Sequence, residues 1–260
     1  MWTSIAEKGP VVIEREALVS HLQALLEVDR FKDYGPNGLQ VEGRAQVRKV
    51  VTGVTASLAL IDAAIAQGAD AIVVHHGLFW RGQDGRVTGW MRQRLGRLIE
   101  HNINLLAYHL PLDAHGSLGN NAQWGQRLGL VADGRFGEQD LGFIGPTPAG
   151  LTLDGLTAHI AQTMGREPVV VPGDGRVLRR AAWCSGGAQG HFEQAIAAGA
   201  DLFLTGEISE PQAHHARETG VAFLACGHHA SERYGVQAIG DHLAARMGLA
   251  HTVIDVPNPA

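Results

Sequence analysis

The fold is decided by one segment of the sequence, KVVTGVTASLALIDAAIAQGADAIVVHHG at residues 49–77. It begins with β-branched residues typical of a strand, continues from Ser57 with apolar residues at helical spacing as far as Gly68, and ends in a second apolar run. A strand, a helix and a strand within about 30 residues form a βαβ unit, in which the two strands lie parallel and the crossover is right-handed. The sequence therefore predicts an α/β fold.

The same pattern recurs later in the chain. AIAQGADAIVVHHG at residues 64–77 aligns without gaps with AIAAGADLFLTGEI at residues 195–208. A match this short also arises from recurrent helix–strand connections, but we interpret it as the trace of two related α/β lobes built from βαβ units. Glu207 lies opposite His76 in the alignment, so polar groups are expected at both strand tips, where open α/β sheets bind their ligands.

Glycines and prolines are concentrated between Ala132 and Gly150, and we place the boundary between the two lobes there. The first lobe is predicted to comprise residues 1–131 and the second residues 132–260. The C-terminal segment is expected to return to the cleft between the lobes.

The composition, with 45% hydrophobic and 18% charged residues, describes a compact soluble protein. No apolar run approaches the roughly 18 residues needed to span a bilayer, and no secretory signal begins the chain, so we expect a cytoplasmic protein without a membrane partner. The net charge of −5 and the lack of a dense Lys/Arg run argue against nucleic acid as a partner. Cys184 and Cys226 are expected to be reduced and buried.

The 14 histidines are the most informative feature, because they occur in clusters with carboxylates. The clusters are His75 and His76; His109, Asp113 and His115; Glu207, His214 and His215; and His228, His229 and Glu232. A histidine pair alone is more often structural, but three of these clusters follow apolar strands. Imidazole and carboxylate together are the ligands of zinc, manganese, iron or nickel. More such ligands are present than one tetrahedral ion needs, so the residues favour a pair of metal ions.

The sequence segments that carry these four clusters resemble, in the same order, the signature blocks of the NIF-three-like dinuclear-metal family. Members of that family are also called GTP cyclohydrolase 1 type 2 homologues. The blocks are VVHHGLFW, HLPLDAHGSLGNNA, TGEIS and GHHASERYG. Two further segments, YGPNGLQVEG and VTGVTASLALIDAAIAQGAD, resemble the N-terminal blocks of that family. The resemblance runs from Arg15 to the C-terminus.

The resemblance implies two divalent metal ions per chain, in the cleft between the two lobes, with zinc, manganese, iron or nickel as candidates. The implied ligands are His75, His76, Asp113, His228 and Glu232. His229 occupies a position that the family fills variously and is expected to be a neighbour of the ligands. The resemblance also implies a homo-oligomer, a toroidal hexamer with its metal sites facing an internal cavity.

The family label implies a hydrolase in which a metal-bound hydroxide attacks the guanine ring of GTP and releases formate. His109 and His115 are candidates for orienting the ligands or transferring protons, with hydrogen bonding within their loop as the alternative. No GxxxxGK[ST] loop is present to hold a triphosphate. A phosphoesterase or amidohydrolase acting on another small molecule fits the residues equally well. A non-catalytic, metal-binding regulatory or interaction protein is the alternative from a different class.

For Glu207, His214 and His215, contact with the substrate and simple exposure on a helix are both open interpretations.

Overall fold

A computed structural model describes residues 11–260 of the protein. The chain divides into two compact units. The first unit runs to His109 and includes Ile239–Val256, whereas the second comprises Leu110–Ala238 and Pro257–Ala260.

The secondary structure alternates between strands and helices along most of the chain. The first unit contains β1 (Ile13–Glu14), α1 (Arg15–Leu25), β2 (Gly38–Val41), β3 (Gln46–Val47), β4 (Lys49–Thr55), α2 (Leu58–Ala66), β5 (Ala71–His76), α3 (Gly89–Glu100) and β6 (Asn104–Ala107). The second contains α4 (Leu110–Ala114), α5 (Asn120–Arg127), β7 (Gly134–Phe136), β8 (Gly142–Pro146), α6 (Leu153–Met164), β9 (Val169–Val171), β10 (Arg180–Trp183), α7 (Phe192–Ala197), β11 (Leu202–Thr205), α8 (Glu210–Thr219) and β12 (Ala222–Ala225). Helix α9 (His228–Met247) begins in the second unit, and β13 (Ala250–Val253) belongs to the first.

The first unit is built on a five-stranded sheet in the order β13-β4-β5-β6-β2. The first four strands in this order are parallel, and β2 runs antiparallel to β6. Ser57 caps α2 by accepting the backbone N–H of Leu60, and Gly68 ends the helix with a φ of +66°. The βαβ unit predicted for residues 49–77 is therefore confirmed.

The second unit is built on a six-stranded sheet in the order β7-β8-β10-β11-β12-β9. Strands β10, β11 and β12 are parallel, while β8 and β9 flank them in the antiparallel direction. The glycine-rich segment where we expected the lobe boundary supplies β7 and β8 of this sheet. Helix α5, which precedes that segment, belongs to the same unit because Trp124 packs into its hydrophobic core. The first unit consequently ends at His109, earlier in the chain than the predicted boundary.

The two sheets repeat the same strand pairing at equivalent positions. Val50 is paired with Ala71 where β4 meets β5, and Ala181 is paired with Leu202 where β10 meets β11. Ala71 and Leu202 are aligned with each other in the two sequence segments, and Val50 and Ala181 are separated by the same offset of 131 residues. The sequence repeat therefore corresponds to a structural repeat, and the prediction of two related α/β lobes is confirmed.

An aspartate holds this pairing in each unit. Oδ2 of Asp70 accepts the backbone N–H groups of Arg48 and Lys49 at 2.8 and 3.0 Å. Oδ2 of Asp201 accepts those of the equivalent residues in the second unit, Arg179 and Arg180, also at 2.8 and 3.0 Å. Each carboxylate thus ties the start of one parallel strand to the start of its neighbour.

Both cysteines are buried free thiols, as expected, and burial raises the pKa of each above its ordinary value. No helix within residues 11–260 has a stretch long and apolar enough to cross a bilayer.

We predict that Asp70→Ala and Asp201→Ala each lower the free energy of unfolding by about 2 kcal/mol or more, because each leaves two backbone N–H groups without their charged acceptor. Urea denaturation followed by tryptophan fluorescence measures the effect. Asp62→Ala is the matched control, because this half-exposed carboxylate makes a surface ion pair with Arg97 and should contribute less than about 1 kcal/mol. Equal losses in Asp201→Ala and Asp62→Ala would contradict the role assigned to the repeated aspartate.

We also predict that His251 makes the protein less stable at acid pH. Its Nε2 lies 2.9 Å from the hydroxyl of the buried Thr52, and burial lowers the pKa of His251 more than the nearby Asp241 raises it. In the unfolded chain the pKa returns to 6.5, so below that pH the unfolded state binds the proton more readily and the free energy of unfolding falls. Between about pH 7.5 and about pH 5, His251→Asn should lose less stability than the unsubstituted protein. Equal losses would show that His251 is not the responsible group.

Candidate metal centre

Three histidines of the first unit come together at the carboxyl ends of two neighbouring parallel strands. His75 and His76 are the last residues of β5, and His109 follows β6. The pairing of these strands extends past β6, because the N–H of Tyr108 donates to the carbonyl of Val74. One ring nitrogen from each histidine lies within 4.8 Å of the other two, which is a spacing that can hold a metal ion.

The two histidines of β5 each have a hydrogen-bond partner for Nδ1. Nδ1 of His75 lies 3.0 Å from the carbonyl oxygen of Tyr108, so it carries the proton and donates it. Nδ1 of His76 lies 3.2 Å from the hydroxyl oxygen of Thr55. With Nδ1 engaged in this way, each ring keeps Nε2 as the nitrogen that can bind a metal.

His109 is held by Asp33, a carboxylate that we did not single out from the sequence. Its Nδ1 donates to Oδ1 of Asp33 at 2.7 Å, and its backbone N–H donates to Oδ1 of Asn37. Burial favours a higher pKa for Asp33, but the hydrogen bond and charge of His109 and the bond from Asn37 prevail and lower that pKa to about 2. Asp33 is therefore ionised, and it fixes the tautomer of His109.

Asp113, in α4 of the second unit, is buried among amide and hydroxyl groups. Its Oδ1 accepts hydrogen bonds from Nδ2 of Asn120 at 2.9 Å and from Oγ of Ser185 at 3.0 Å. Asn121 donates to its backbone carbonyl. Gly119 takes the cap position of α5, so the side chain of Asn120 orients the carboxylate and that of Asn121 holds the backbone of Asp113 and Ser185. A network of this kind fixes the direction in which a carboxylate presents its remaining lone pairs.

His228 and Glu232 lie one turn apart at the start of α9. Nε2 of His228 is 3.2 Å from Oε2 of Glu232, whose side chain is only 3% exposed, and Nδ1 of His228 is 2.6 Å from Oε1 of Glu207. Burial lowers the pKa of His228, but the hydrogen bonds and charges of the two glutamates outweigh burial and raise it to about 9. Glu207, which the sequence left ambiguous, thus belongs to this group.

A glycine is required opposite Glu232. Gly186, in the loop after β10, adopts a φ of +68°, and a side chain at this position would overlap the carboxylate of Glu232. Its backbone N–H donates to Oγ of Ser231. The loop therefore closes directly over Glu232 because residue 186 has no side chain.

The donor atoms fit a divalent metal. Two atoms that bind one ion at about 2.1 Å, at angles between octahedral and tetrahedral, lie roughly 3 to 3.5 Å apart. The 3.2 Å between Nε2 of His228 and the carboxylate of Glu232 falls in this range. Imidazole and carboxylate are the ligands that zinc, manganese, iron and nickel share.

The remaining histidines of the predicted clusters have other surroundings. Nδ1 of His115 accepts backbone N–H groups of the turn that follows it. His214 pairs with Glu210 on the exposed side of α8, and His215 lies 3.6 Å from Glu193 of α7. A role for His109 or His115 in proton transfer stays a prediction.

Comparison with known proteins finds relatives over nearly the whole chain. The model of the Duf34/NIF3 (NGG1p interacting factor 3) family matches residues 13–259. A protein of Neisseria meningitidis serogroup B named GTP cyclohydrolase 1 type 2 homolog is 54% identical over 235 residues, covering 90% of this chain and 94% of that protein. Among solved structures, protein ybgI, described as of unknown function, gives a TM-score of 0.92 at 44% identity, covering 95% of this chain and 100% of its own. TTHA1606 from Thermus thermophilus gives 0.86 at 37% identity, with the same coverages.

We predict that Asp33→Asn weakens the affinity of the protein for Zn²⁺ by about 10- to 100-fold, because Asp33 orients the ring of His109, one nitrogen of which lies within 4.8 Å of ring nitrogens of His75 and His76. Competition with a chromophoric chelator measures the affinity. Asp84→Asn is the control, since this exposed carboxylate of the same unit pairs with the neighbouring Arg86. If the two variants have equal affinity for Zn²⁺, His109 does not contribute to metal binding.

Proposed function

Because the chain belongs to the Duf34/NIF3 family, we propose that it is a hydrolase that depends on two divalent metal ions. The proposed ligands are His75, His76, Asp113, His228 and Glu232. The observation that carries the proposal is the hydrogen bonding of the imidazoles. Nδ1 of His75, His76 and His228 each lies at a protein oxygen, which orients Nε2 as the metal-binding nitrogen. The two carboxylates of the proposed ligand set, Asp113 and Glu232, are both buried.

A pair of divalent ions held by these residues would lower the pKa of a bound water toward neutrality and polarise the bond under attack. Neighbouring residues hold the proposed ligands in place. Glu207 accepts the Nδ1 proton of His228, and Ser185 directs one oxygen of Asp113. His109, bound through Nδ1 to the ionised Asp33, keeps Nε2 for transferring a proton or for holding a metal.

We take GTP as the first candidate substrate, because the relative at 54% identity carries the name GTP cyclohydrolase 1 type 2 homolog. The proposed reaction is the hydrolytic opening of the imidazole ring of guanine with release of formate. A phosphoesterase or amidohydrolase reaction would use the same metal-binding residues on another small molecule, so these reactions are the alternative outcomes of a substrate screen.

We predict that the native protein contains about two divalent ions per chain and that Asp113→Ala loses most of them, because the substitution removes a buried carboxylate of the proposed ligand set. Plasma mass spectrometry on purified protein measures the metal content. Asp133→Ala is the matched control, because Asp133 is an exposed carboxylate of the same unit that pairs with Arg180. It should retain the metal content of the unsubstituted protein.

The same preparations are then assayed for formate release from GTP and for hydrolysis of phosphodiester and amide substrates. Turnover that is lost in Asp113→Ala and kept in Asp133→Ala supports the hydrolase. Metal-loaded protein that turns over none of these substrates would leave a metal-binding regulatory protein as the better explanation. Protein that takes up none of zinc, manganese, iron or nickel would contradict the metal centre itself.

A further inference from the structure

Two large aromatic rings stand beside the histidines of the first unit. The ring of Tyr34 is centred 6.2 Å from that of His109, and the ring of Trp80 is centred 5.0 Å from His109 and 6.0 Å from His76. Tyr34 is 56% exposed. An exposed aromatic surface next to a candidate metal centre is where a substrate would make its first apolar contact.

The two loops that carry these rings are bonded to each other. The backbone N–H of Arg81 donates to the carbonyl of Tyr34 at 2.7 Å, and the N–H of Tyr34 donates to Oδ1 of Asp33 at 2.6 Å. The loops also touch at Gly35, where a side chain would collide with the carbonyl of Phe79. The ring of Tyr34 is thus carried on a backbone fixed in advance, which lowers the entropy lost when a ligand binds.

The guanidinium group of Arg81 lies beside the exposed ring of Tyr34. The guanidinium carbon of Arg81 lies 5.8 Å from the ring centre of Tyr34, and Nη2 of Arg81 donates to the carbonyl of Asp33 at 2.8 Å. This bond uses one of the five N–H donors of the guanidinium and orients the group. The remaining donors form a planar fork suited to a phosphate or carboxylate.

We propose that Tyr34 and Arg81 form a substrate-binding rim that takes a flat heteroaromatic ring on Tyr34 and an anionic group of the same molecule on Arg81. The inference rests on the proposed function, since it assigns a substrate class to the same site. It goes further in naming two residues, neither of them a metal ligand, that select the substrate.

The chemistry of the rim favours a small planar ligand. A tyrosine ring can stack on the face of any heteroaromatic base, whatever polar groups that base carries. Removing such a contact weakens binding about 5- to 150-fold. A guanidinium adds recognition of charge without requiring a deep pocket. A molecule that has both a ring and an anion would use Tyr34 and Arg81 together.

Three related probes separate the two contacts: guanosine 5′-monophosphate, guanosine, and ribose 5-phosphate. Their binding to the metal-loaded protein is measured by titration calorimetry. Tyr34→Leu should weaken binding of the two guanine compounds about 5- to 150-fold and leave ribose 5-phosphate unchanged, whereas Tyr34→Phe should restore it. Arg81→Gln should weaken binding of the two phosphate compounds about 10-fold and leave guanosine unchanged.

Trp90→Leu is the matched control, because Trp90 is another exposed aromatic residue of the same unit and is paired with Arg94 instead of a histidine. It should bind all three probes as the unsubstituted protein does. Guanosine binding that is equal in Tyr34→Leu and Trp90→Leu, or absent from the unsubstituted protein, would overturn the rim while the metal content and turnover still report on the proposed function. A change of oligomeric state in Tyr34→Leu with intact guanosine binding, seen by sedimentation, would assign Tyr34 to a subunit contact and overturn it as well.

Discussion

The candidate metal centre depends on the register of the parallel strands. Parallel neighbours have no tight hairpin to fix their pairing, and a slip of one residue would exchange the two faces of a strand. Asp70 and Asp201 supply the missing constraint at the amino ends of the strands, where each accepts two N–H groups from the neighbouring strand. Because the register is fixed at the amino ends of the paired strands, it is also fixed at their carboxyl ends. His76, at the end of β5, is therefore paired with Thr55 of β4, and its Nδ1 lies 3.2 Å from the threonine hydroxyl.

The histidines at these strand ends differ in the oxygen that accepts their Nδ1 proton. His75 has a backbone carbonyl, whereas His109 and His228 have carboxylates. A carboxylate partner makes the opposite ring nitrogen more basic than a carbonyl does. The chain thus offers imidazoles of graded basicity, with the more basic ones at His109 and His228.

The sequence predicted the central βαβ unit and its repeat because both depend on local patterns, the alternation of apolar runs with glycine stops. It also pointed to strand tips as the place for His75 and His76. It could not show that Asp33 would hold His109, since 76 residues separate the two and DYGPNG has the composition of any turn. The glycine-rich segment after Ala132 suggested a linker for the same local reason. There, the close approach of another backbone segment requires a small residue, as at Gly145, where a side chain would collide with the carbonyl of Val131.

The return of β13 to the first sheet has a consequence for biosynthesis. This strand pairs with β4, yet Ala250–Val253 are made only after Leu110–Ala238 of the second unit. Until then β4 is an edge strand, with the unpaired amide and carbonyl groups of an apolar segment exposed along one side. The first sheet therefore cannot be completed before residues 250–253 have been made, and nascent chains cut short before residue 250 would present a template for aggregation.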